Sequence, residues 1–206
     1  MTVLGSKRLK ELIYHTENPA ERLVVTPILD LNAQISDSSA AIDIRLGTKF
    51  IVPQKANVPH IDIGDKNFLD EFAQSVETIY VSYGGNLTLH PGHFVLGNSL
   101  EYFRFPPNLS GYVVTRSSWG RLGLVVATAI GIHPGFFGVL SLELSNSGEV
   151  PISVYPGLAI AQVFFHEVTA APTDIRAPSA YLGATEVELS QLTPHEEIEK
   201  LKKLAR

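Results

Sequence analysis

Leu122-Gly123-Leu124-Val125-Val126-Ala127-Thr128-Ala129-Ile130-Gly131-Ile132-His133-Pro134-Gly135-Phe136-Phe137-Gly138-Val139-Leu140-Ser141-Leu142 runs without a Lys, Arg, Asp or Glu. It is long enough to weigh as a membrane span, but His133, Pro134 and several glycines argue against one continuous apolar helix. It reads instead as two buried strands around a turn. In Ile132-His133-Pro134-Gly135, proline fixes φ at the first central turn position and glycine supplies a positive φ at the second, the signature of a type II turn. The same punctuation recurs in Leu89-His90-Pro91-Gly92 and Val154-Tyr155-Pro156-Gly157. Short strands joined by such turns predict a mainly β chain, a barrel or jelly roll.

Working outward, Ala41-Ile42-Asp43-Ile44-Arg45-Leu46-Gly47 alternates, with Asp43 and Arg45 on one face and Ile42, Ile44 and Leu46 on the other. Further strands are predicted at Lys49–Val52, Thr78–Ser82, Asn86–Leu89, His93–Glu101, Gly111–Arg116, Gly138–Leu144, Val150–Val154 and Ala159–Val168. Helices are expected at the ends. Ser6 precedes Lys7–Ile13 as an N-cap, with Leu9, Leu12 and Ile13 on one face. Thr193-Pro194-His195-Glu196 supplies a cap, a first-turn proline and a capping-box glutamate. Behind it Ile198, Leu201 and Leu204 form a stripe, with Lys202, Lys203 and Arg206 at the end where the helix dipole favours cations. A third short helix is predicted at Asn67–Val76. The β body spans about residues 25–168, and Ala170–Ser179, with Pro172 and Pro178, introduces a C-terminal tail and helix within one domain of residues 1–206.

Of the 206 residues 45% are hydrophobic and 18% charged, a globular rather than disordered composition. The net charge of −5 argues against broad electrostatic binding to nucleic acid or an acidic membrane. Cysteine is absent, which excludes disulfides, thiol nucleophiles and cysteine-ligated zinc, and leaves the cytoplasm as the default compartment. Met1–Glu11 leads into no apolar segment with a cleavage site and reads as part of the mature chain.

The densest polar cluster is Thr115-Arg116-Ser117-Ser118-Trp119-Gly120-Arg121. Two guanidinium groups, two hydroxyls and a Gly-relaxed backbone suit a polyphosphate, although a solvated strand-to-turn connection has the same composition. Trp119 reads as a packing anchor or a stacking platform. Glu143 shares a face with Val139, Ser141 and Ser145, while Leu140, Leu142 and Leu144 take the other. Alone, that is also the pattern of a solvent-facing glutamate. Asp43 and Arg45, same-face neighbours of opposite charge, could form a structural ion pair. His90 and His93 flank Pro91-Gly92 and permit a rival cupin-like metalloenzyme, though the His-x-His plus Glu pattern is missing. His15, His60, His166 and His195 are scattered and read as surface residues.

Taken together, the motifs resemble the dCTP deaminase family of the dUTPase-like superfamily. Ser38-Ser39-Ala40-Ala41-Ile42-Asp43-Ile44-Arg45-Leu46-Gly47 is similar to its first motif and Arg116-Ser117-Ser118-Trp119-Gly120-Arg121-Leu122-Gly123-Leu124 to its phosphate and catalytic motif. Ile132-His133-Pro134-Gly135-Phe136-Phe137-Gly138 leading into Leu142-Glu143-Leu144, and Pro156-Gly157-Leu158-Ala159-Ile160-Ala161-Gln162-Val163-Phe164, resemble the next two, in consistent order. The resemblance implies a dUTPase-like distorted jelly roll, a homotrimer with sites between subunits, and zinc-independent hydrolysis of dCTP to dUTP and ammonia.

In that reading Glu143 is general base and acid, Ser117 and Arg121 position the water and stabilise charge, and the carbonyl of Ala129 holds the water from the other side. Arg116, Ser117 and Ser118 contact the triphosphate, within the stretch that also holds Trp119 and Gly120, and Gln162 adds a contact. Ser141, Leu142 and Glu143 line the nucleoside pocket, His133 faces the sugar and Tyr181 belongs to the closing tail. Mg²⁺ bridges phosphate oxygens, with no protein metal site. At His133 the family motif has an aspartate, and the tail shares with the family only Tyr181-Leu182-Gly183-Ala184. A dUTPase or bifunctional dUMP-forming deaminase, and a non-catalytic dNTP-binding relative, are the alternatives.

Overall fold

The computed structural model describes residues 2–54, 60–127, 131–169 and 181–204. Ala129, expected to hold the water, and the tail segment Ala170–Ser179 lie outside the described residues. The N-terminal part forms α1 (Ser6–Tyr14), β1 (Val24–Thr26), α2 (Leu31–Gln34), β2 (Ala41–Arg45), β3 (Lys49–Pro53), α3 (Phe68–Gln74) and β4 (Val76–Tyr80). There follow β5 (Leu87–Leu89), β6 (Phe94–Arg104), β7 (Leu109–Thr115), α4 (Ser117–Gly120) and β8 (Leu124–Ala127). The chain continues with β9 (Gly131–Ile132), β10 (Phe137–Asn146), β11 (Ile152–Val154), β12 (Ala159–Glu167) and α5 (His195–Leu204).

Alternation places these strands. In β2, Ile42 and Ile44 are fully buried while Asp43 and Arg45 are half-buried, so one face enters the core and the other carries charge. One sheet runs β4-β3-β6-β10-β8, with β1 also on β6, a second runs β2-β12-β7-β9, and β11 pairs with β5. All of these pairs are antiparallel. The apolar faces meet in one core, where Phe105 stacks on Phe165 at 5.2 Å and meets Phe136 edge-on at 6.3 Å. Each such ring contributes about 1.5–3 kcal/mol by leaving water. The mainly β reading is what the chain adopts.

The three Pro-Gly turns form as the sequence requires. Gly92, Gly135 and Gly157 have φ of 74°, 77° and 90°. In each turn the residue after glycine donates its N–H to the carbonyl of the residue before proline, with lengths of 3.0, 3.2 and 3.2 Å. The uncharged stretch differs from expectation: it holds three strands, β8, β9 and the first half of β10, because the short β9 leaves the sheet of its neighbours and pairs with β7. Ser6 is not the cap of α1. Gly5 holds that position without a side-chain bond, and Ser6 sits in the first turn, its hydroxyl donating to the Asp37 carbonyl at 3.0 Å. Of the stripe on α5, Ile198 is half-buried while Leu201 and Leu204 are exposed at 63% and 83%. His166 is 7% exposed rather than on the surface, its ring 5.1 Å from that of Tyr112.

The described start of the tail packs back on β10. The Gly183 N–H donates to the Phe137 carbonyl at 2.8 Å and the Val139 N–H to the Ala184 carbonyl at 2.9 Å. Gly138 allows this approach: its φ is 137°, and a Cβ there would lie 3.0 Å from the Ala184 oxygen. Val187 is 1% exposed, and Glu186 is held by Lys49 at 2.9 Å and the Tyr80 hydroxyl at 3.2 Å.

Candidate active site

The half-buried Glu143 is positioned by β10, which pairs on one side with Leu96 of β6 and on the other with Ala127 of β8. It opens into a cavity of about 590 Å³ together with Ser141 and Val139 from the same strand face. His133, Pro134 and Gly135 contribute the turn before β10, Phe94 and Leu96 come from β6, and Phe72 comes from α3. The tail adds Tyr181, Leu182, Glu188 and Ser190. Burial raises the Glu143 carboxyl above the ordinary carboxylate value. Among the described residues that line it there is no Lys or Arg, and there are two carboxylates. Apolar walls with a few polar groups and no cation suit a neutral ring and sugar rather than a polyphosphate.

The basic cluster stands elsewhere on the chain. Arg116 is the N-cap residue of α4, and Ser117, Ser118, Gly120 and Arg121 are exposed. Trp119 is anchored, its indole N–H donating to the Ala159 carbonyl of β12 at 2.9 Å while its ring packs against the core. Arg116 Nη1 lies 3.2 Å from Asp43 Oδ2. Gln162 is the cross-strand neighbour of Asp43, so Asp43, Gln162 and Arg116 share one patch on the β2/β12 surface. Burial raises the Asp43 pKa, and the charges of Arg116 and Arg45 oppose that.

The Asp43–Arg45 pair expected from β2 does not form. Arg45 turns to Glu101 of β6, a fully buried carboxylate that accepts the Arg45 backbone N–H at 2.9 Å and its guanidinium at 3.4 Å. Gln34 Nε2 donates to the same carboxylate at 2.8 Å. Burial is the main cause of the raised Glu101 pKa, opposed by the backbone and side chain of Arg45.

Of the expected residues, the structure gathers Glu143, Ser141, His133 and Tyr181 around the cavity. It gathers Arg116, Asp43 and Gln162 into the second patch, with Ser117, Ser118, Gly120 and Arg121 on the adjoining turn. Leu142 is a correction, since its side chain is fully buried in the core on the opposite face of β10 and does not line the cavity. Phe72, Phe94, Glu188 and Ser190 were not anticipated. Their only sequence signal is local, and nothing in it tells which surface a loop will cover. His90 and His93 approach at 5.2 Å between ring centroids, and among the described residues no group of three His, Asp or Glu converges there or elsewhere.

A family model described as dCTP deaminase-like matches residues 4–168. The chain belongs to the dCTP deaminase-like family. It is 38% identical over 174 residues to a dCTP deaminase of Haloarcula marismortui, covering 82% of this chain and 87% of the relative. It is 42% identical over 153 residues to a dUMP-forming dCTP deaminase of Halobacterium salinarum, covering 74% and 75%. A dUMP-forming relative from Methanobrevibacter smithii is 34% identical over 202 residues, 98% of this chain and 97% of its own. Among solved structures, 2'-deoxycytidine 5'-triphosphate deaminase from Agrobacterium tumefaciens shares the fold with a TM-score of 0.58 at 23% identity, over 79% of this chain and 46% of that one.

Proposed function

We propose that this member of the dCTP deaminase-like family deaminates dCTP hydrolytically, with Glu143 as the proton shuttle. The observation that carries the reading is the raised, half-buried carboxyl of Glu143 in a cavity of nucleoside-compatible size whose described lining carries no Lys or Arg. A raised carboxyl is a competent base as carboxylate and a competent acid once protonated. Glu143 takes a proton from water as its oxygen bonds to cytosine C4, passes it to the ring, and helps ammonia leave as the C4–N bond breaks. The products are dUTP and ammonia. Ser117 and Arg121, with the carbonyl of Ala129, orient the water and stabilise developing charge.

Arg116, Ser117, Ser118 and Gln162 hold the triphosphate. These donors fit phosphate oxygens rather than a cation, so Mg²⁺ would arrive on the nucleotide and be held by its phosphates. It would supply charge neutralisation there. The separation of the basic patch from the cavity favours a homotrimer in which one subunit's Arg121 completes another's Glu143 site. Within one chain, Arg121 precedes the start of β8, whereas Glu143 pairs with its last residue, three strand residues or about 10 Å further on. The cytoplasm suits such an enzyme of nucleotide metabolism.

The dUMP-forming names of two relatives favour a second reading, in which dUTP is hydrolysed further in the same site. Chromatography of dCTP, dUTP and dUMP after incubation with Mg²⁺ separates the two. We expect dUTP from the wild type and a loss of at least about a hundredfold in Glu143→Gln, the scale of a general acid–base contribution. Appearance of dUMP establishes coupled hydrolysis, and intact dCTP despite binding overturns deamination.

A further inference from the structure

The geometry points to Ser99 as a positioning residue for Glu143, acting through the strand irregularity that its hydroxyl bridges. This rests on the reading of Glu143 as the proton shuttle. The β6–β10 ladder is regular from Ser141↔Asn98 through Ser145↔Phe94 and again from Val139↔Tyr102 to Phe137↔Arg104. Between these stretches a single β10 residue, Leu140, faces three of β6: Ser99, Leu100 and Glu101.

A bulge of this kind removes ladder hydrogen bonds and bends the strand that carries it. The freed groups are buried, with Leu140 6% exposed and Ser99 and Glu101 fully buried, so they need other partners. Ser99 supplies them. Its hydroxyl accepts the Leu140 backbone N–H at 2.9 Å and donates to the Glu101 carbonyl at 2.6 Å. One side chain therefore closes the bulge from both strands.

The site begins directly beyond this bulge. Ser141 and Glu143 are the next two residues on the cavity face of β10, and their direction and depth are set by where the strand leaves Leu140. Glu101 is itself held by Arg45 and Gln34, so the carbonyl that Ser99 grips belongs to a fixed residue. Without the hydroxyl, the Leu140 N–H must find water or a new ladder partner. Either response shifts β10 at the register that presents Glu143. Misplacement of a catalytic group by an ångström is enough to cost orders of magnitude in rate.

The test compares Ser99→Ala and Ser99→Thr in the full chain. The Glu143 carboxyl is followed by carbon-13 NMR titration, assigned with Glu143→Gln, alongside steady-state kinetics on dCTP with Mg²⁺. Titratable groups facing the same cavity are His133, Tyr181 and Glu188, and the facing residues Phe72, Phe94 and Leu96 bring none. We expect Ser99→Ala to lower kcat about tenfold with KM changed less than about twofold. We expect its Glu143 titration to move down toward the ordinary carboxylate range, as a carboxyl no longer held at that depth gains water. Ser99→Thr restores both. Where Ser99→Ala does not stay folded, Ser99→Cys, similar in shape with a weak acceptor, carries the same two expectations. A folded variant with lower thermal stability but wild-type titration and kcat overturns the proposal. Should the wild type leave dCTP intact, deamination fails separately, and the titration alone still decides whether Ser99 positions Glu143.

Discussion

Glu101 shows what a single residue does when a strand carries it inside. A fully buried carboxylate with three donors is costly to form and more costly to break, because removing one partner strands the other charge. Glu101→Ala leaves Arg45, only 13% exposed at its side chain, without its partner, and we expect a loss of about 3–5 kcal/mol in urea unfolding. The pH dependence has a definite sign. Burial raises the folded-state pKa of Glu101, so the folded protein binds this proton more tightly than the unfolded chain does. Its contribution is fully present below the unfolded carboxylate value and is lost as pH rises through the folded one. Glu101→Gln lacks this titration. The stability difference, wild type minus Glu101→Gln, therefore falls as pH rises above the unfolded carboxylate value in paired urea melts, and parallel curves would remove the assignment.

At the scale of elements, strands were legible wherever alternation met a Pro-Gly turn. β2, β3, β10 and β12 all lie within a few residues of expectation, β2 and β10 because one face is apolar and the other is not, β3 and β12 as apolar runs that bury neighbouring residues on both faces. The three-residue β5 and β11 were also anticipated, beside Pro-Gly turns, but other short elements were lost. β1 and β9 have two or three residues and no period to read, and α4 is a single turn. α2 did leave a signal, since Asp30 caps it by accepting the Asn32 and Ala33 N–H groups. The site divides the same way. Motif residues could be named from the chain, but the Arg116–Asp43 pair, the β6 irregularity and the tail wall depend on which strand lies beside which. Gly138 ties these elements together and gives a direct test. Gly138→Ala puts a Cβ against Ala184 at a φ that L-residues avoid, which costs about 1–3 kcal/mol. The docked tail should release first, so limited proteolysis should cut near residues 181–190 before the β body. Unchanged cleavage kinetics would show that the tail does not depend on this approach.

On the scale of the whole molecule, one chain keeps its candidate base and its candidate anion-binding residues apart. The described lining of the cavity holds Glu143 and no Lys or Arg, while Arg116 and Arg121 lie on the turn before β8. A closed trimer brings different surfaces of identical chains together at every interface, so a heterologous contact can complete each site with a residue from the neighbour. Mixing tests this without a structure. Arg121→Ala and Glu143→Gln are each expected to be inactive alone. Unfolded together and refolded in equal amounts, they would form, on the proposed homotrimer, sites that are whole only when the arginine comes from a Glu143→Gln subunit and the glutamate from an Arg121→Ala subunit. Random assembly makes that combination about one site in four, so the mixture should recover about a quarter of wild-type activity. If both residues instead act within one chain, every subunit lacks one of them, and the mixture stays as inactive as its components.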